Sequence, residues 1–194
     1  MPKKRALLLL LALLAGVLLP SCGSAQPSED QYDPEHAVFS TIVRRLDAQS
    51  QLYSELAQMV RDLPDAPDQD RAISELKYYM DGALVFIQDS YIDGSLTIIF
   101  DRQEEIRSLL CDLFANWLFK AEKLKELTPE ELIQFSDLLE ALEQCCCRGL
   151  PGTSFAYYIS QQDTESKEFS AAMGTAQGAF DQLKDFEYRH RLEW

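Results

Sequence analysis

Histidine is almost absent. His36 and His190 are the only two in the 194 residues. Neither has a second histidine at metal-ligand spacing, and a helical di-metal carboxylate centre needs Glu-x-x-His on two facing helices, a pair this chain lacks. Both are therefore expected to be exposed structural residues. Glycine is sparse, at 8 residues, with no Gly-rich phosphate loop and no G-x-S-x-G elbow, so no nucleotide fingerprint or catalytic nucleophile is legible. Basic residues are outnumbered, 18 Lys and Arg against 32 Asp and Glu, giving a formal charge of −14. That field repels phosphate backbones, and without a local basic patch nucleic-acid binding is excluded. No catalytic signature emerges, so the chain is not expected to be an enzyme. No cofactor is indicated either.

What is present begins with an export segment. Lys3, Lys4 and Arg5 precede a leucine-dominated run from Ala6 to Leu19, which has the length of a signal-peptide h-region. It falls short of the roughly 20 apolar residues that a membrane-spanning helix needs. Leu19, Pro20, Ser21 and Cys22 follow, with Leu at −3, a small residue at −1 and Cys at +1. This arrangement resembles the lipobox of bacterial lipoproteins, although Pro20 stands at −2 where a small residue is usual. The resemblance covers only the targeting segment. It implies that residues 1–21 are removed and that Cys22 is lipidated as the new N-terminus, anchoring the chain to a membrane of the cell envelope. Two alternatives use the same residues. Cleavage after Ala25, with Gly23 and Ala25 as the small residues, releases a soluble secreted or periplasmic protein, whereas no cleavage leaves an uncleaved anchor. All three export the chain.

Removal of residues 1–21 takes away three basic residues and no acidic ones, so the mature chain carries −17. Residues 22–32 are polar and contain Pro27, which suits a flexible tether. From Asp33 to Trp194 the pattern is that of a single helical domain. Asp33-Pro34-Glu35 starts a helix that Leu63-Pro64-Asp65-Ala66-Pro67 stops. Its seam is Phe39, Ile42, Leu46, Gln49, Tyr53, Leu56 and Val60, with Gln49 its polar member. Similar spacing runs from Asp68 to Ile92 and from Leu96 to Leu124, broken at Asp93-Gly94. Thr128-Pro129-Glu130-Glu131 is a capping box opening a helix to about Arg148. Thr153 to Gln162 is the least helical stretch, expected as a loop or short strand, and a last helix runs from about Thr164 to Arg189. The expected fold is all-α, an antiparallel bundle of about five amphipathic helices. The alternative is α+β with a hairpin around residues 84–100.

Four of the five cysteines form the most specific internal feature. A hairpin turning at Leu127 and Thr128 sets Cys111 level with Cys145, so a Cys111–Cys145 disulfide is the first choice and Cys111–Cys146 the second. Cys111, Cys145, Cys146 and Cys147 also make a possible soft-metal set, or reactive or intermolecular thiols. Tyr157 and Tyr158, in the irregular stretch, are the candidate partner contacts. The acidic pairs Glu104-Glu105, Glu130-Glu131 and Glu140 with Glu143 are expected to be solvated faces. Gly174 and Gly178, four apart, suggest either close backbone packing or a helix tolerated by its neighbours. The expected function is an exported, lipid-anchored acidic module of the bacterial cell envelope that binds a protein partner, preferably a basic one, as an inhibitor or immunity-type protein does. The alternative is an envelope protein that binds a small ligand or a soft metal through the cysteine cluster.

Overall fold

In the computed structural model the described residues are 34–79 and 121–190, all within one compact unit, Asp33–Trp194. They are 83% helical and include no strand, so the fold is all-α. The stretch 84–100, where the alternative hairpin falls, lies outside them. So do Cys22, the tether and Cys111.

Helix α1 spans Pro34–Asp62, and its buried residues Ile42, Leu46, Gln49, Tyr53, Leu56 and Val60 recur at the three-and-four spacing of one helical face. A 3-10 turn, Leu63–Asp65, follows, with Pro64 in its first turn and Leu63 buried beneath it. Asp68 then caps α2, accepting from the Arg71 amide at 3.1 Å, and residues 69–79 are helical. A second 3-10 segment, Ala121–Glu126, leads to α3, Pro129–Cys146. There Thr128 Oγ1 accepts from the Glu131 amide at 3.3 Å, while Glu131 Oε2 accepts from the Thr128 amide at 2.7 Å. Both arms of the capping box are formed.

Helix α3 is the centre of the described structure, packing extensively on α1 and on α5 (Lys167–His190). Its buried set explains this position. Leu132, Phe135, Ser136, Leu138, Leu139, Leu142, Cys145 and Cys146 cover two adjacent stripes, wide enough for two neighbours. Both neighbours run antiparallel to it. Toward α1, Ala57 meets Ser136 and Ser50 meets Glu143; toward α5, Phe186 stacks on Phe135 with centroids 5.5 Å apart and His190 reaches Glu131.

The stretch expected as loop or strand contains a short helix instead, α4, Phe155–Ser160, which touches α1, α3 and α5. Ser154 starts it by accepting from the Tyr157 amide at 3.2 Å, and Phe155, Ala156 and Ile159 are all buried. Helix α5 begins three residues later than expected, because Ser166 provides the cap to the Phe169 amide at 3.0 Å, while Thr164 is itself buried. Close packing is not the reason for Gly174 and Gly178: a Cβ added at either position meets nothing within 4 Å. Among the described residues no helix is long and apolar enough to cross a membrane.

Candidate functional site

One group of chemistry-bearing residues in the described region lies where α1, the end of α3 and the start of α4 meet. Gln49 and Tyr53 lie one turn apart on the buried face of α1, and Gln49 Nε2 donates to Tyr53 Oη at 3.2 Å. Gln49 Oε1 is buried and has no hydrogen-bond partner. Ser50 Oγ donates to Glu143 Oε1 across the α1–α3 seam at 3.2 Å. Ser154 Oγ donates to the Cys145 carbonyl at 3.1 Å, tying the end of α3 to the cap of α4.

Cys145 and Cys146 are buried in this cluster. Burial, reinforced by the Glu143 carboxylate, pushes the Cys145 thiol up to about 11. Cys146 is raised well above the ordinary thiol value by burial first, then by Cys145, Glu143 and Cys147. Tyr53 is raised by burial and by Cys146, against the Gln49 hydrogen bond. Neutral thiols in an apolar seam are weak nucleophiles and weak ligands, so Cys145 and Cys146 behave as small core residues. Cys147 sits half-buried at the C-cap of α3.

Cys145, Cys146 and Cys147 carry free thiols. The expected Cys111–Cys145 bridge and its Cys146 alternative receive no support here, since Cys111 lies outside the described residues. Nor do the three adjacent cysteines form a metal centre by themselves. Among the described residues no group of three or more His, Cys, Asp or Glu side chains is placed to hold a metal ion.

Of the acidic pairs, Glu104-Glu105 lies outside the described residues and Glu130 is exposed, as a solvated face would be, whereas Glu131, Glu140 and Glu143 have partners. Arg61 of α1 bridges Asp137 at 2.8 Å and Glu140 at 2.7 Å, while Glu143 accepts from Ser50. Glu131 serves the capping box, whose hydrogen bonds from Thr128 hold its carboxyl below the usual range. Arg148 meets Asp47 at 3.3 Å and Lys125 meets Asp70 at 2.5 Å. These pairs are largely exposed and individually weak.

Tyr157 and Tyr158, expected in a loop, lie on α4. They meet edge to face with centroids 5.2 Å apart, and both are half-buried, Tyr158 against the core. His190 is not exposed as expected. Its side chain keeps 19% of its surface accessible, its ring lies 4.3 Å from that of Phe186, and Nδ1 is 3.5 Å from Glu131 Oε1. Its companion in Glu-x-x-His spacing, Glu187, is buried with Oε1 unpartnered, and burial pushes its carboxyl up to about 8 against the pull of Lys184. That spacing, and the Gln49–Tyr53 pair at i, i+4 in the α1 seam, are the signals by which these residues could have been singled out. No family model matches the chain, and neither the curated proteins nor the solved structures contain a match to it.

Proposed function

We propose that this is an exported, lipid-anchored acidic protein of the bacterial cell envelope that binds a basic protein partner, in the manner of an inhibitor or immunity-type module. The observation that carries this reading is the lipobox-like Leu19-Pro20-Ser21-Cys22 behind a positive n-region and a leucine run, on a chain whose mature part carries −17. A lipid on Cys22 holds the domain near the membrane, and the polar residues 22–32 let it stand off a surface that repels its charge. The helical bundle supplies the scaffold on which the acidic side chains are carried. The soft-metal alternative has less support, because burial raises the Cys145 and Cys146 thiols and so disfavours the thiolates that a metal needs.

Replacing Cys22 by Ser tests the anchor. The variant is expected to lose incorporation of a fatty acid analogue and to leave the membrane fraction. Equal labelling of variant and wild type would overturn the lipoprotein reading and promote cleavage after Ala25. The partner reading is tested by retention of envelope proteins on the immobilised mature domain across a salt series. Electrostatically steered binding weakens steeply between low and high ionic strength, so retention indifferent to salt would count against an acidic binding face.

A further inference from the structure

We propose that the loop between α3 and α4 is a cleavage site for an endoprotease specific for basic residues, which cuts the Arg148–Gly149 bond and leaves a two-chain domain held together by its core. Residues 148–153 are all exposed, and among the described residues their one backbone hydrogen bond runs from the Leu150 amide to the Cys147 carbonyl at 3.1 Å. That bond folds the Arg148–Gly149 peptide into a single turn, which a protease must open to bind the chain extended. Opening one exposed turn costs far less than unwinding a helix. Every other described lysine and arginine lies within a helix or a 3-10 segment, where successive backbone bonds keep the chain coiled. Arg148 is thus the basic residue that stands at an exposed loop tip, the preferred place for a nick.

The loop sequence selects the class of enzyme. Arg148-Gly149-Leu150-Pro151-Gly152-Thr153 contains no carboxylate for an acid-specific protease. Leu150 is exposed, but Pro151 follows it, and the proline ring with its missing N–H obstructs cleavage of the bond between them. After Arg148, by contrast, stands Gly149, which places no side chain beside the bond. The Arg148 side chain is 59% exposed, and its Nε meets Asp47 at 3.3 Å. A pair so open to solvent is weak, and it yields the guanidinium to the acidic pocket in which a basic-specific protease holds arginine.

Both flanks of the loop are anchored independently of it. Cys145 and Cys146 are buried before it, and Ser154, Phe155, Ala156 and Ile159 after it. Helix α4 packs on α1, α3 and α5, and α5 packs on α3, so the piece that begins at Gly149 keeps its buried contacts when the loop is cut. Hydrolysis consumes one water and breaks the bond between the Arg148 carbonyl carbon and the Gly149 nitrogen, leaving a carboxylate on Arg148 and an ammonium group on Gly149.

The test is limited digestion of the purified full chain with trypsin at neutral pH, read by intact mass and native gel filtration. A fragment beginning at Gly149 is expected to form roughly tenfold or more faster than cuts at the described helical lysines and arginines. The pieces on either side of this cut should co-elute under native conditions and part in denaturant. Arg148→Gln should lose the fragment and Arg148→Lys should keep it. Chymotrypsin should spare residues 148–153 in the wild type, whereas Pro151→Ala should open the bond after Leu150 to it, which reads access to the loop independently of Arg148. Cleavage after Arg61 or Arg71 ahead of Arg148, separation of the pieces on native gel filtration, or resistance of Pro151→Ala to chymotrypsin at Leu150 would overturn the proposal.

Discussion

The amide of Asp163 donates to the carbonyl of Tyr158 at 2.9 Å, and together with Gln162 donating to Ile159 at 3.0 Å it closes α4 in a Schellman motif. The residue at its C′ position, Gln162, has a φ of 58°, a left-handed conformation that glycine adopts without strain. Gln162→Gly is therefore expected to stabilise the domain by about 1 kcal/mol. Chemical denaturation read by circular dichroism checks this, with a raised midpoint at unchanged slope as the expected result.

The middle of α5 carries the opposite error. Gly174 and Gly178 are helical, and an added Cβ at either meets nothing within 4 Å. Gly174→Ala and Gly178→Ala should each stabilise by roughly 0.5–1 kcal/mol and add when combined. Thermal melts of the two singles and the double measure this directly.

The Phe135–Phe186 stack joins the two helices at the heart of the described core, and both residues are fully buried. Phe186→Ala should cost about 3–5 kcal/mol, the usual penalty for emptying a core aromatic site. It also removes the surface that supports His190. Urea titration gives the cost, and a loss below about 1 kcal/mol would mean that α5 is not docked as described.

Glu187 predicts the direction in which stability moves with pH. Its carboxyl titrates near 8 in the folded chain against an ordinary 4.5, so the folded state binds the proton more tightly. Stability is then highest below the ordinary value, falls as pH rises from about 4.5 to about 8, and levels off above. Glu187→Gln should flatten that slope and raise stability at neutral pH by on the order of 1–3 kcal/mol. Melting temperatures of both proteins across pH 5–9 check it.

Long-range periodicity and local capping chemistry were legible in the chain to different degrees. Thr128-Pro129-Glu130-Glu131 announced the start of α3 because a capping box is a purely local device, and the α1 seam emerged because seven positions kept one spacing over about six turns. A six-residue helix has too few turns to show a period. Its signals were Ser154 as a cap and the buried Phe155, Ala156 and Ile159, all easily taken for a loop. The histidine at 190 looked solvated because nothing in one dimension says that α5 returns to the N-terminus of α3. The register assumed for Cys111 depends on residues outside those described, whereas the contacts that are described pair α3 with α1 and α5.

Ser154 has a consequence for where this chain tolerates new sequence. Residues 148–153 between α3 and α4 are all exposed, and Gly152, at φ 93°, turns the backbone where a side chain would be strained. Directly after them, one hydroxyl holds both flanks, donating to the Cys145 carbonyl and accepting from the Tyr157 amide. Whatever lies between Cys147 and Ser154 is thereby closed off from the core. Lengthening such a loop costs only about 0.6 kcal/mol per doubling. The junction of Leu150 and Pro151 is accordingly the place to splice in an epitope or a fluorescent reporter, provided that Ser154 is kept.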